Sequence, residues 1–279
     1  MKKISRRSFL AAAGLSVAAL ALTACGGSSA STASSVASSA ASSEAASTGA
    51  AAGELTTVEA GKLTMATNAA FPPYEMTTDA GEFEGIDIET AQAIADKLGL
   101  ELQIDDMDFD AALLSVQQGK ADIVMAGVTV TDERKAVMDF SDSYATGIQS
   151  IIVPEGSDIA SPDDLAGKKI GTQRGTTGYI YCSDDFGDDN VVAYDDGLTA
   201  VQALNNGQVD AVVIDNAPAQ EFIAANPGLK ILDTSYAEED YAIGMAKGSS
   251  LEDAVNAALE ELKADGTLQS IVDKYITAE

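Results

Sequence analysis

The chain has 279 residues and carries 16 Lys and Arg against 44 Asp and Glu, which gives a formal net charge of -28. So acidic a surface repels phosphate backbones and anionic lipid headgroups, which argues against nucleic-acid binding and peripheral membrane docking. The chain has no His, so it lacks both the commonest general base and the commonest transition-metal ligand. We therefore expect no metal site, no other cofactor and no catalytic residues.

The N-terminus has the pattern of a cleaved export signal. Basic residues within the first seven positions precede an uncharged run from Ser8 to Ala24. This run is shorter than the ~20 residues that a membrane-spanning helix needs, so residues 1–24 are predicted to be a signal peptide. The sequence Leu22-Thr23-Ala24-Cys25 resembles a bacterial lipobox, which implies that the Cys25 thiol is lipidated. The alternative is an ordinary cleavage site beside an incidental cysteine, and export by either the Sec or the twin-arginine route stays open.

Residues 25–53 are predicted to be a disordered tether. From Gly26 to Gly53 every residue except Val36 and Glu44 is Ser, Ala, Gly or Thr. Such a segment cannot bury enough apolar surface to fold. Its root-mean-square span of roughly 30 Å suits a leash between a membrane anchor and a globular head.

The remaining residues alternate short apolar runs with amphipathic stretches. Strands are predicted at Lys62–Thr67, Leu100–Ile104, Asp122–Ala126, Lys169–Thr172 and Asp210–Ile214, and helices at Glu89–Leu98, Asp110–Gln118, Thr199–Asn206 and Ala217–Ala224. This alternation predicts an α/β architecture with mostly parallel sheets and helices on both faces.

An internal repeat indicates two lobes of similar design. Residues 108–127 align with 196–215 without a gap, and each copy contains a helix, a glycine, an aspartate and a buried strand. Ligands of open α/β sheets bind beyond the carboxyl ends of the strands. Gly127 and Asp215 occupy equivalent strand ends, so we expect both to face a cleft between the lobes.

Over residues 60–276 the chain resembles the family 3 extracellular solute-binding proteins, the amino-acid receptors of ABC importers. The resemblance is carried by segments in a specific order and spacing: Ala66–Tyr74, Gly85–Glu89, Phe109–Leu113, Ala126–Arg134, Asp139–Ser141, Gly171–Thr177, Asp210–Asp215 and Asp265–Thr267. It implies a periplasmic-binding-protein type II fold, in which two α/β lobes are joined by a two-strand hinge. Lobe 1 would comprise 54–144 and 237–279, and lobe 2 would comprise 150–232.

The resemblance also implies how an amino acid is held. The ligand is a zwitterion, so its site needs a cation for the carboxylate and an anion for the ammonium. Arg134 is expected to pair with the carboxylate through its planar guanidinium, together with the backbone N–H of Thr177. Asp215 is expected to accept the ammonium, aided by the Gly127 carbonyl and the Thr129 hydroxyl. Taken alone, Arg134 also fits a surface helix turn, Thr177 fits a plain turn, and Asp215 fits a helix N-cap.

The ligand side chain would lie between Phe71 and Phe109, although aromatic residues at such positions are also common in a core. Asn68, Gln173 and Arg174 are candidates to contact its polar end. The family often has Asp at the first of these positions, and an amide cannot neutralise a cation. We therefore expect a neutral polar amino acid such as glutamine, and weak binding of arginine, lysine and ornithine.

Three classes of function fit this pattern. The first is a monomeric receptor that delivers an amino acid to an ABC permease and its ATPase, bound to the membrane through a lipid anchor only. We expect it on the outer face of a Gram-positive cell membrane, with a periplasm as the alternative. The second is a cyclohexadienyl- or arogenate-dehydratase-like enzyme, which would need a carboxylic acid in the cleft besides Asp215. The third is the sensing module of a signalling receptor.

Overall fold

The computed structural model describes residues 55–276, and the predicted signal peptide, the tether and Cys25 lie outside this range. The strands are β1 (Lys62–Thr67), β2 (Ala70–Phe71), β3 (Glu75–Thr77), β4 (Phe83–Glu84), β5 (Glu101–Asp106), β6 (Ile123–Val124), β7 (Met138–Phe140), β8 (Ala145–Pro154), β9 (Ile170–Gln173), β10 (Val191–Tyr194), β11 (Ala211–Asp215), β12 (Leu229–Ile231), β13 (Ala237–Tyr241) and β14 (Gly244–Ala246). The helices are α1 (Ile86–Leu98), α2 (Phe109–Gln117), α3 (Asp132–Lys135), α4 (Thr177–Phe186), α5 (Gly197–Asn205), α6 (Asn216–Ala225), α7 (Glu252–Ala264) and α8 (Thr267–Tyr275). Within 55–276 no helix is long and apolar enough to cross a bilayer.

Helix α1 illustrates how local sequence sets an element. It begins at Ile86, three residues before the predicted start, and ends at the predicted Leu98. The end is defined by Gly99, whose φ of 70° lies in the left-handed region that glycine adopts without a Cβ clash. The apolar face of the helix carries Ala91 and Ile94, both fully buried.

Two main sheets carry the fold. The first has the order β5-β1-β6-β14-β7, and the second has β10-β9-β11-β8-β12, with β13 also paired to β8. Strand β1 is parallel to β5 and β6, whereas the returning strand β14 is antiparallel to β6. The chain therefore builds the first sheet, crosses to the second and comes back to complete the first. This is the predicted two-lobed α/β arrangement.

The connection between the two sheets is an antiparallel pair. Strand β13 pairs with the first half of β8, from Ala145 opposite Tyr241 to Gln149 opposite Ala237. Residues 237–241 thus lie in the connection between the two sheets and hydrogen-bond to the second one. The side chains of β13 alternate, with Glu239 and Tyr241 buried and the residues beside them exposed or half-buried.

The repeated helix–Gly–Asp–strand unit occurs in both lobes. In lobe 1 the predicted strand 122–126 is wholly buried, but only Ile123–Val124 pairs in the ladder. Asp122, which precedes Ile123, is buried, and its carboxylate accepts the backbone N–H groups of Val58 (2.7 Å) and Thr64 (2.8 Å). In lobe 2 the equivalent Asp210 is exposed and accepts the N–H of Lys169 (2.8 Å).

This difference predicts unequal costs for the same substitution in the two copies. Asp122→Ala is expected to lower the free energy of unfolding by about 2–4 kcal/mol, because it leaves the buried N–H of Thr64 and the part-buried N–H of Val58 without an acceptor. For a chain of this size that corresponds to a fall in Tm of roughly 5–15 °C, measurable by calorimetry. Asp210→Ala is the matched control and should cost about 1 kcal/mol or less. Equal losses of stability in the two variants would contradict the different roles given to Asp122 and Asp210.

Candidate ligand-binding site

A small cavity lies between the two lobes, and its empty space of about 310 Å³ includes open solvent. It is lined by Asn68, Phe71, Glu75, Phe109, Ala126, Gly127, Thr129, Arg134, Gln173, Thr176, Thr177 and Asp215. The predicted site residues are all in this set except Arg174.

Arg134 is held at the cavity by the short helix α3. Thr131 is the N-cap of that helix and accepts the backbone N–H of Arg134 (3.2 Å). The guanidinium is buried, with Nη1 donating to the Thr129 carbonyl (2.8 Å) and Nη2 donating across the cleft to the Gly175 carbonyl (3.1 Å). Its carbon lies 5.4 Å from the centre of the Phe109 ring. The buried guanidinium excludes the surface alternative, and its other N–H groups suit a carboxylate.

Asp215 ends strand β11 and is buried at the cavity wall. Asp215 occupies the N-cap position of helix α6, as the sequence also allowed, but its side chain makes no capping hydrogen bond. Gln149 donates to its Oδ2 (2.7 Å), and the Tyr241 hydroxyl donates to its Oδ1. Burial raises the pKa of Asp215 to about 7, although these two hydrogen bonds act in the opposite direction.

Glu239 joins the two lobes beneath the cavity, and sequence reasoning missed it. Its Oε2 accepts the Thr129 hydroxyl (3.1 Å), the Thr177 hydroxyl (3.0 Å) and the Gln149 amide (3.0 Å). It thereby fixes one threonine from each lobe. No local sequence signal marks it, because it stands between two other acids and only the pairing of β13 with β8 places it on the inner face.

The far end of the cavity is closed by two amides. Gln173 on β9 donates to the Asn68 side chain (2.8 Å), which in turn donates to the Met107 carbonyl (3.0 Å). Phe71 and Phe109 line the cavity and also belong to the hydrophobic core of lobe 1, so both interpretations of these aromatics apply.

Arg174 is the one candidate residue that lies outside the cavity, and the sequence had left open whether it faces the cleft or solvent. It follows strand β9 in a turn. More than half of its side chain is exposed, and it lies 3.6 Å from Asp195. It borders a separate depression with Asp108 and Asp110 at the cleft rim.

Glu75 is an acid in the cleft that the sequence did not reveal, since Asp215 is the only acid among the predicted cleft residues. It begins strand β3, lines the cavity and is fully buried. Burial, followed by the charge of Asp87, raises the pKa of Glu75 well above its usual range. Asp87 is itself fully buried and accepts the Gly127 N–H (3.0 Å).

Aromatic rings pack behind these acids. The Tyr74 ring stacks on Phe71 with 5.9 Å between centroids, and it meets Tyr241 edge-on at 5.3 Å. Each of the three rings is less than a tenth exposed. The wall behind the cavity is therefore aromatic, and one of its phenol hydroxyls contacts Asp215.

A side chain at position 175 is expected to interfere with closure of the cleft. It has a φ of 74°, and a Cβ there would overlap the Asp110 carboxylate of the other lobe. Gly175→Ala is therefore expected to hinder closure and lower ligand affinity tenfold or more, as measured by calorimetric titration. Gly156→Ala is the matched control, because Gly156 has a similar φ of 83° and no atom within 4 Å of the added Cβ. The ligand affinity of Gly156→Ala should be unchanged. Equal losses of affinity in the two variants would contradict a specific overlap between position 175 and Asp110.

The two α/β lobes and the enclosed polar cavity define a two-lobed binding protein. A family model described as bacterial extracellular solute-binding proteins, family 3, matches residues 63–278. The chain belongs to this family, so the predicted fold class is confirmed and the protein is a solute-binding protein rather than an enzyme.

Individual relatives agree with this assignment. A probable histidine-binding protein of Neisseria gonorrhoeae is 33% identical and covers 96% of this chain and 95% of its own. The L-cystine-binding protein TcyJ of Escherichia coli (strain K12) is also 33% identical, over 79% of this chain and 85% of its own. The solved structure of an ancestral arginine-binding protein bound to glutamine has 42% identity and a TM-score of 0.75, and covers 78% of this chain and 99% of its own.

Proposed function

We propose that the protein captures a free amino acid between its lobes and delivers it to an ABC permease and its ATPase. The observation that carries this proposal is the pairing, in one small cavity, of a buried arginine with a buried aspartate. Opposite charges on opposite walls match the carboxylate and the ammonium of a zwitterion. Relatives whose names specify histidine, cystine and arginine support the same ligand class.

The roles follow from the contacts of each residue. Arg134 and the N–H of Thr177 bind the ligand carboxylate, since the latter residue is the first of helix α4 and the N-terminus of a helix attracts anions. Asp215, the Gly127 carbonyl and the Thr129 hydroxyl bind the ammonium. Phe71 and Phe109 flank the side chain. Closure brings these groups together from both lobes.

The side-chain end of the site supports a neutral polar ligand. Asn68 and Gln173 supply amides that both donate and accept, and they meet each other across the cleft. A cationic ligand is the second candidate, and the observation that favours it is the buried carboxyl group of Glu75. The carboxyl group of Glu75 can neutralise a cationic side chain, which the amide of Asn68 cannot do. Relatives named for glutamine and for arginine represent the two classes.

The protein's place in the cell follows from the N-terminal sequence. We infer that Cys25 is lipidated after removal of residues 1–24, and that the tether of 25–53 holds a monomeric head outside the cell membrane. The boundaries of lobe 1 and lobe 2 remain those given above, with 237–241 contributing to the hinge. A Gram-positive surface is favoured over a periplasm because of the long Ser/Ala leash.

A thermal-shift screen against the twenty amino acids, cystine and ornithine tests the receptor function. The chain would start at residue 25 and carry Cys25→Ser. A ligand present at 100 times its Kd adds about 2.7 kcal/mol and raises the Tm by several degrees. We expect one or a few amino acids to do so. If none shifts the Tm and calorimetry detects no binding, the proposed ligand class is wrong.

A further inference from the structure

A pair of buried carboxyl groups lies beside the cavity, apart from the groups assigned to the ligand's own carboxylate and ammonium. Glu75 lines the cavity from strand β3, and Asp87 lies in the first turn of helix α1. Both are fully buried. Among the described residues, no donor reaches either oxygen of the glutamate.

The backbone places the two carboxyl groups beside each other, because the N–H of Asp87 donates to the carbonyl of Tyr74, the residue before Glu75 (2.8 Å), and both side chains are buried there. A carboxylate only accepts hydrogen bonds, so two of them can bond to each other only through a proton that one of them carries. A doubly ionised pair would also set two like charges side by side away from water. The geometry therefore calls for one retained proton.

The surroundings of the pair add negative rather than positive charge. Asp106, at the end of β5, and Asp215, at the end of β11, both act on Glu75 and raise its pKa. The phenol groups of Tyr74 and Tyr144 face Asp87, and both have pKa values raised by burial. No Lys or Arg is among the groups of the described chain that act on either carboxyl group.

The proton resides on Glu75, because Asp87 has stabilising contacts that Glu75 lacks. The aspartate accepts the Gly127 N–H (3.0 Å) and lies at the N-terminus of a 13-residue helix, where a negative charge is favoured. Burial raises its pKa only to about 6, whereas the pKa of the glutamate rises well above its usual range. The titration belongs to the pair, since the groups are coupled.

We propose that Glu75 and Asp87 share a single proton and that this proton sets which charge class of ligand side chain the cavity accepts. The inference rests on the proposed function, because it concerns the same cavity. With the proton in place, Glu75 is an uncharged donor that suits a neutral polar side chain. A cationic side chain displaces the proton to the buffer and pairs with the carboxylate left behind. Binding of a cationic ligand therefore releases one proton more than binding of a neutral ligand.

Arginine and its neutral analogue citrulline test this directly. Their affinities would be measured by calorimetric titration from pH 5.5 to 8.5 on the chain that starts at residue 25 with Cys25→Ser. Both ligands have the same ammonium, so the titration of Asp215 cancels in the ratio of the two affinities. The ratio is expected to shift toward arginine by up to tenfold per pH unit while the pair holds its proton.

Glu75→Gln should remove this pH dependence and weaken arginine binding more than citrulline binding. Glu84→Gln, an exposed acid on the neighbouring strand β4, is the control and should behave as the wild type. A pH-independent ratio in the wild-type protein would overturn the proposal, and so would an unchanged slope in Glu75→Gln. If no amino acid binds any variant, the proposed function fails, and a ligand-free measurement then decides the present inference.

That measurement is the Tm of the wild-type protein relative to Glu75→Gln, from pH 5 to pH 9. A carboxyl group that keeps its proton in the folded state and loses it in the unfolded state makes stability fall as pH rises through the interval between the two pKa values. Glutamine imitates the protonated acid and does not titrate. We expect the wild-type Tm to fall by several degrees relative to the variant as pH rises. A constant or rising difference would show that the pair carries no such proton.

Discussion

Arg134→Ala is expected to raise the Kd for the bound amino acid by roughly 30- to 5,000-fold, which corresponds to about 2–5 kcal/mol. The guanidinium is buried among the Thr129 carbonyl, the Gly175 carbonyl and the Phe109 ring. Without it, the ligand carboxylate would enter the cavity without its counter-charge. The loss also removes a hydrogen bond between the lobes, so the closed form is weakened as well.

Calorimetric titration measures this effect, and the chain offers a matched control. Arg174→Ala removes the same side chain from a residue that is largely exposed and lies outside the cavity. Its Kd should stay within twofold of the wild-type value. Arg134→Lys keeps the charge but not the planar fork, so an intermediate loss is expected. If Arg134→Ala bound the ligand within threefold of the wild type, the carboxylate would have to be held elsewhere.

Asp215→Asn should have the second large effect, because it removes the anion that faces the ligand ammonium. We expect a loss of affinity of about 2–5 kcal/mol, the usual cost of truncating one partner of a buried charge pair. The aspartate has its pKa raised to about 7 by burial, and the ammonium binds only the ionised form. Wild-type affinity should therefore fall by up to tenfold per pH unit below about pH 7, since the proton competes with the ligand.

The Asp215→Asn variant distinguishes the titration of Asp215 from the titration of other groups. Asparagine does not ionise, so Asp215→Asn should bind weakly at every pH and lose the part of the slope that is common to all ligands. Asp195→Asn, an exposed acid outside the cavity, should keep both the affinity and the slope. Persistence of the full slope in Asp215→Asn would assign the titration to another group.

Much of the fold was predictable because its signals are local and repeated. The helix–Gly–Asp–strand unit occurs twice, and its apolar positions leave little choice of secondary structure. The alignment of the two copies predicts that Gly127 and Asp215 lie at equivalent strand ends, and both residues line the cavity. Arg134 needed more than local sequence, since Asp-Glu-Arg-Lys is equally typical of a surface turn.

The residues that sequence reasoning misplaced depend on tertiary packing. Glu75 follows two prolines and a tyrosine, a pattern typical of an exposed turn, and nothing local indicates that β3 turns its side chain inward. Gln173 lines the cavity, whereas its neighbour Arg174 is largely exposed, and nothing in the local sequence distinguishes the two. Glu239 stands between two other acids, so only the pairing of β13 with β8 reveals which one is buried.

The tyrosines behind the cavity provide an intrinsic fluorescence signal for ligand binding. The chain contains no tryptophan and eight tyrosines, so its ultraviolet emission comes from tyrosine alone. One of these, Tyr241, donates its hydroxyl to the aspartate assigned to the ligand ammonium, and its ring touches Tyr74. A cargo that takes up part of that carboxylate changes the environment of the phenol directly. Loading and unloading can therefore be followed by stopped-flow spectroscopy without attaching a dye.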